Sequence, residues 1–190
     1  MKTDKVLATR PHKVIYQDGD KVWKVFDANY PKTDVLNEAL NQARVEETGL
    51  PIPRVHGVTV NEEGKWAIIS DYIEGETLAE KMAKDPENLE KYMKQFVEIQ
   101  LEIHDKTAPL LNKMKDKMSV RINSLKAVNA TTRYELSTRL EGMPKHKKVL
   151  HGDYNPTNVV IDKDGKYYIL DWSHATQGNA SADAARTYLL

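Results

Sequence analysis

The stretch His151-Gly152-Asp153-Tyr154-Asn155-Pro156-Thr157-Asn158 is followed, past two short apolar runs, by Asp171-Trp172. An Asp, an Asn five residues on and a later second Asp suit phosphoryl transfer from a nucleoside triphosphate. One carboxylate, Asp153, would accept the proton of an attacking hydroxyl and hold it in line. Asn158 and Asp171 are the candidate magnesium ligands, since magnesium takes a few hard oxygens together with phosphates and water. Alone, Asp153 reads as a turn aspartate bonding its own backbone. Asn158 alone reads as a loop amide and Asp171 as a strand-end cap. Their joint occurrence with His151 carries the catalytic reading. His151 reads as a structural brace, because no second His sits at ligand spacing.

Lys24 lies within Val22-Trp23-Lys24-Val25-Phe26, among apolar neighbours. A charge there needs a partner or a phosphate, because an unpaired buried charge is costly. Glu38, on the next expected helix, is the natural partner. Spacing alone gives equal weight to two roles for Lys24: a contact to the α/β-phosphates oriented by Glu38, or an edge-strand lysine reaching water.

These residues need elements to position them. Val14-Ile15-Tyr16 and Val22 to Phe26 are β-rich and are separated by an Asp18-Gly19 hairpin signal. A helix is expected from about Val35 to Thr48, capped by Thr33 or Asp34 and stopped by Gly49, Pro51 and Pro53. A second antiparallel pair, Arg54 to Val60 and Trp66 to Tyr72, completes a small sheet. After Gly75 the pattern turns helical. Thr77 heads a short helix, and Asp85-Pro86-Glu87 starts another. Leu89, Tyr92, Met93, Phe96, Val97, Ile99, Gln100 and Ile103 follow helical spacing and predict one buried face. Residues 113–142 read as a charged amphipathic helical region ended by Met143-Pro144. Val159-Val160-Ile161 and Tyr167 to Leu170 form a hairpin that would return Asp171 to Asn158.

The bulk numbers exclude other classes. The 190 residues make one domain or two small lobes, and 40% hydrophobic content is enough for a core. The 28 basic and 28 acidic side chains balance, so nothing global points to nucleic acid or a membrane surface. The chain has no cysteine, which excludes disulfides and thiolate metal sites. Met1 to Lys5 leads into no long apolar run, so no signal peptide is expected, and no run approaches the ~20 residues of a membrane helix. A cytoplasmic protein is the default expectation.

Taken in order, these segments resemble the aminoglycoside phosphotransferase/choline kinase-like family, which has the protein-kinase-like fold. The likeness runs through Val22 to Phe26, Asn37-Glu38-Ala39, Gly49 to Pro53, Ile73 to Leu78 and Leu101 to His104. It continues through the 151–158 loop, Leu170-Asp171-Trp172 and Asp183 to Thr187. The resemblance implies that Asp153 is the catalytic Asp and that Asn158 and Asp171 are metal ligands. It also implies that Lys24 and Glu38 are the phosphate-orienting pair. Ser70, Asp71, Tyr72 and Ile73 match the hinge that meets adenine through backbone groups, and Asp183 matches a brace for the catalytic loop.

Two departures stand out. The loop between the first strands, Ala8-Thr9-Arg10-Pro11-His12-Lys13, has none of the family's usual glycines, and Pro11 has no N–H for a phosphate. Either Arg10, His12 and Lys13 substitute by charge, or nucleotide binding is weakened. The chain also stops at Leu190, where family members usually continue with helices that complete the acceptor pocket. A piece of a longer chain, a minimal natural form and completion by a homodimer all stay open.

The expectation is an α/β (α+β) fold of two lobes: a small antiparallel-sheet N-lobe with one helix, 1–72, and a mostly helical C-lobe, 73–190, lacking the family's C-terminal helices. The expected activity is ATP- and magnesium-dependent phosphorylation of a small-molecule hydroxyl on an aminoglycoside, amino alcohol or sugar. Asp116, Glu135, Glu141 and Asp183 are candidate contacts for a cationic acceptor. The rivals are a pseudokinase acting through a partner, and a protein kinase. The protein kinase is disfavoured because no Asp-Phe-Gly follows the hairpin.

Overall fold

A computed structural model describes residues 5–190. The reading of Met1 to Asp4 as free of a leader, and the first four residues of the expected N-lobe, lie outside the described residues. The first strands, β1 (Lys5–Arg10), β2 (Lys13–Asp18) and β3 (Lys21–Phe26), are joined by tight turns. The expected loop from Ala8 to Lys13 therefore shrinks to Pro11 and His12, because Ala8 to Arg10 and Lys13 pair across the β1–β2 ladder. Helix α1 (Lys32–Glu46) follows, then β4 (Val55–Val60) and β5 (Trp66–Asp71). The five strands form an antiparallel sheet in the order β1-β2-β3-β5-β4. The N-cap of α1 is Pro31, not Thr33 or Asp34, which fall inside the first turn. Proline fixes the extended entry angle, and no side chain caps the helix.

A short strand β6 (Glu76–Thr77) leads into α2 (Leu78–Lys84), where Thr77 and Glu80 form the capping box. Gly75 is required just before it: a Cβ there would lie 2.3 Å from the Ile161 carbonyl oxygen. Helix α3 (Leu89–Asp105) buries Phe96, Ile99 and Ile103 in the main core. Each contributes about 2 kcal/mol through burial. The expected single face is narrower than the sequence pattern: Leu89, Met93 and Val97 are exposed, one turn apart along a second edge of α3. Residues 113–142 form two helices, α4 (Met114–Ser124) and α5 (Ala130–Gly142). The break is at Asn129, whose side chain accepts from Thr132 N–H and caps α5.

The remainder alternates short strands and loops: β7 (Lys148–Leu150), β8 (Val159–Ile161), β9 (Tyr167–Ile169) and β10 (Thr176–Gly178), then α6 (Ala180–Leu189). β8 and β9 form the expected hairpin, with β6 on its outer edge, and β10 pairs antiparallel with β7. That second pairing brings the segment after Asp171 back beside the loop that follows β7. Among the described residues no helix is long and apolar enough to cross a membrane.

Candidate active site

The loop after β7 is held from beneath by α6. Asp183 accepts from His151 N–H at 3.1 Å, Gly152 N–H at 2.8 Å and His104 Nε2 at 3.0 Å. Burial opposes a charge on Asp183, but these donors outweigh it and hold its pKa below the usual carboxylate value. His151 is fully buried. Its Nδ1 accepts from Asp153 N–H at 3.2 Å, so Nε2 carries the proton and donates to the Leu170 carbonyl at 2.9 Å. Burial pushes its pKa down, and both nitrogens of the neutral ring are spent on backbone, as a brace requires. Gly152 adopts φ +77°, and a Cβ there would lie 2.8 Å from the His174 carbonyl oxygen.

Asp153 and Asn158 meet within this loop. The Asn158 side-chain N–H donates to the Asp153 carbonyl at 2.9 Å and reaches its Oδ2 at 3.4 Å. Leu170 N–H donates to the Asn158 carbonyl at 2.8 Å, so the hairpin returns the chain to the loop as expected. The next residue, Asp171, has φ +59°. It is the one non-glycine among the described residues with positive φ, a conformation that side-chain-bearing residues pay to adopt and that clusters at functional sites.

Lys24, Glu38 and Asp171 converge from β3, α1 and the end of β9. Lys24 Nζ pairs with Glu38 Oε1 and lies 3.5 Å from Asp171 Oδ1. Burial works against the Lys24 charge, but Asp171 and Glu38 outweigh it and raise its pKa above the ordinary lysine value. Burial likewise opposes ionised Asp171, and Lys24 and then Lys13 hold it well below the carboxylate range. A second lysine is therefore present: Lys13 Nζ lies 3.6 Å from Glu38 Oε1 and 3.7 Å from Asp171 Oδ2. Arg10 is exposed on β1. His12 pairs instead with Asp27 at 3.7 Å. Of the three charges in the glycine-free turn, only Lys13 enters the site. The period-2 rule contains this signal: Ile15 faces Lys24 across β2–β3, so Lys13 shares that face.

Asp171 Oδ1 is buried and accepts no hydrogen bond. The Asn158 amide oxygen, on the loop to which Leu170 N–H ties the chain just before Asp171, is a second oxygen of the hard type. No group of three His, Cys, Asp or Glu side chains among the described residues would hold a metal by itself. One carboxylate and one amide fit magnesium that arrives with phosphate oxygens.

The segment from Ser70 to Ile73 ends β5. Asp71 N–H is taken by the Arg54 carbonyl at 3.0 Å and Tyr72 N–H by the Asp20 carbonyl at 2.9 Å. The Asp71 side chain contacts His56 at 2.6 Å and Lys21 at 3.2 Å, outside the Lys24 cluster. The candidate acids for a cationic acceptor do not converge. Asp183 is buried and spent on the loop, Glu135 is exposed on α5, and Asp116 and Glu141 line a separate cavity of about 300 Å³ with Lys113, Lys145 and Lys147.

A five-stranded sheet whose Lys24 pairs with Glu38 on α1, joined to a helical part that carries Asp153 and Asn158 on the loop after β7 and Asp171 past β9, defines a two-lobed, protein-kinase-like fold. A sequence model of the phosphotransferase enzyme family matches residues 12–190. The chain belongs to that family. Solved structures agree on the fold. An apo thermostable mutant of aminoglycoside phosphotransferase APH(4)-Ia superposes with a TM-score of 0.68 at 18% identity, covering 95% of this chain and 70% of that one. A ternary complex of the same enzyme with AMP-PNP and hygromycin B gives 0.66 at 18% identity, covering 97% and 71%. A choline/ethanolamine kinase family protein from Mesorhizobium loti gives 0.59 at 16% identity, covering 97% of this chain and 63% of that one. No curated protein sequence matches.

Proposed function

We propose that this chain is a small-molecule kinase that moves the γ-phosphoryl group of ATP to a hydroxyl, in the cytoplasm where ATP is supplied. The observation that carries the reading is the convergence of Lys24, Glu38 and Asp171 on one ion-paired site, bonded through Leu170 to the loop bearing Asp153 and Asn158. Residues 5–72 form the nucleotide lobe and 73–190 the catalytic lobe, the described part of the division expected at 72/73. Aminoglycosides, amino alcohols and sugars are the acceptor classes that family membership brings forward.

Each residue has a role in this reading. Asp153 orients the acceptor O–H and receives its proton as the oxygen attacks the γ-phosphorus. The new P–O bond forms while the bond to the β-phosphate oxygen breaks, and ADP departs. Lys24, aimed by Glu38, holds the α/β-phosphates, and Lys13 adds the charge that the glycine-free turn cannot supply through backbone N–H groups. Asn158 and Asp171 would hold magnesium, which would supply charge neutralisation at the phosphate oxygens. With Asp71 and Tyr72 N–H already bonded, Ile73 is left to offer its N–H to the adenine edge.

The glycine-free turn favours one second reading, a pseudokinase. Thermal shift with Mg·ATP separates the two. Ligand at ~100 times its dissociation constant stabilises by about 2.7 kcal/mol, a rise of about 5–10 °C at this size. The rise should vanish in Asp171→Ala. Asp153→Asn should keep it and lower turnover about a hundredfold or more. No rise at millimolar Mg·ATP would overturn the kinase reading in favour of a pseudokinase or a truncated nucleotide-binding module acting through a partner.

A further inference from the structure

A small cavity opens beside Gly152, next to Asp153, and three cations line it: Lys117 and Arg121 on α4 and Arg186 on α6. His174, whose carbonyl packs on Gly152, completes that wall, and Met114 and Met118 supply the apolar side. The cavity volume is about 40 Å³. About 10–15 Å³ of such space is enough for one water, so the cavity admits a small polar group.

The charges here are unbalanced. Lys117 and Arg121 are four residues apart on one helix, where like charges repel. Among the described residues none of the three cations forms an ion pair with a carboxylate, and Arg186 Nε is buried without an acceptor. The carboxylate that touches the cavity, Asp183, already accepts from His104, His151 and Gly152. The crowding registers on Lys117, whose pKa is pushed down by burial and then by Arg121 and Arg186. Three cations around one cavity, with Arg186 Nε buried and without an acceptor among the described residues, fit an acceptor carried by the ligand.

We infer that this cavity anchors an anionic group, a carboxylate or a phosphate monoester, on the hydroxy compound that the site phosphorylates. The inference rests on the phosphotransferase reading for what happens to the hydroxyl, but not for the anion binding itself. It runs against a cationic acceptor: an aminoglycoside or choline-like ammonium would meet Lys117, Arg121 and Arg186 at the mouth of the catalytic loop. Gly152 in the cavity wall is the chain neighbour of Asp153, so an anion held there would set a neighbouring hydroxyl on the Asp153 side.

Four compounds sharing one diol skeleton test it: glycerate, glycerol phosphate, glycerol and 3-aminopropane-1,2-diol. Their dissociation constants are measured on the whole chain by calorimetry, with and without saturating Mg·AMP-PNP. At least one anion should bind about tenfold or more tighter than glycerol, with the amine weakest. Tighter glycerate assigns a carboxylate, and tighter glycerol phosphate assigns a phosphate monoester. Lys117→Gln should narrow the preference, and Lys117→Glu with Arg121→Glu should reverse it, while the melting shift with Mg·AMP-PNP stays at the parent value. An amine that binds as tightly as the anions, anions undetectable at millimolar concentration, or a ranking that survives charge reversal overturns the inference. A missing Mg·AMP-PNP shift with the charge ranking intact would instead overturn the phosphotransferase reading and leave the anion site standing.

Discussion

Lys13 and Lys24 sit diagonally across β2 and β3, facing Glu38 and Asp171. Two cations and two carboxylates give a neutral cluster. Stability alone is a poor reason to keep it, since apolar residues of similar volume often replace a buried ion pair without loss. Under the kinase proposal a phosphate chain brings negative charge, and the second lysine gives that charge a partner in addition to Lys24. Lys13→Met should raise the KM for Mg·ATP about tenfold with a small change in kcat, because it removes a binding charge away from the reacting atoms. Lys24→Met should lower kcat as well. Steady-state kinetics in both variants decide it, and equal losses in kcat would make Lys13 part of the transition-state machinery instead. The sequence pointed to Lys24 and Glu38 through an isolated charge in an apolar strand. It left Lys13 level with Arg10 and His12, because the choice depends on strand register.

At the scale of elements, the loop from His151 to Asn158 holds its shape through backbone bonds that only certain neighbours permit. Gly152 is the sharpest case, with positive φ and 2.8 Å between a would-be Cβ and the His174 carbonyl. Gly152→Ala should destabilise the protein by about 2 kcal/mol or more, lowering its melting temperature about 4–8 °C. It should also displace Asp153 and lower turnover. Gly142→Ala is the control, because nothing lies within 4 Å of its would-be Cβ. Equal melting temperatures for the two variants would refute the packing argument. The strands, the β8–β9 hairpin and the Thr77 start of α2 were legible because turn residues and caps are local signals. The break between α4 and α5 was equally local, in Asn129 followed by Thr132, but the charged periodicity on both sides concealed it. Exposure of Leu89, Met93 and Val97 was not legible, because helical spacing marks apolar edges without saying which of them is covered.

Across the whole molecule, distant segments are tied by groups whose charge states matter. The order of motifs along the chain was readable, but the bond from α6 to the 151–152 backbone and the meeting of Asp171 with Lys24 join residues 31 to 147 positions apart. Only the folded topology supplies those links. Three of the groups involved share one sign of pH dependence. His151 has its folded pKa lowered, so its contribution is complete above the unfolded value of about 6.5 and is lost as pH falls below it. Asp171 and Asp183 are also depressed, so theirs are present above the unfolded value of about 4 and are lost at lower pH. Lys24 has the opposite sign: its folded pKa is raised, and its contribution persists until pH climbs through the alkaline range above the ordinary lysine value. The melting temperature should therefore hold a plateau from about pH 7 to 10, begin to fall below about 6.5 as the unfolded chain protonates its His151, and fall again below about 4. Differential scanning fluorimetry across that range, with histidine NMR reporting a neutral Nε2-protonated His151 at pH 6, checks both steps. An imidazolium at His151 at that pH would mean that the ring does not bridge Asp153 and Leu170, and the bracing of the loop from His151 to Asn158 would have to be rebuilt on Asp183 alone.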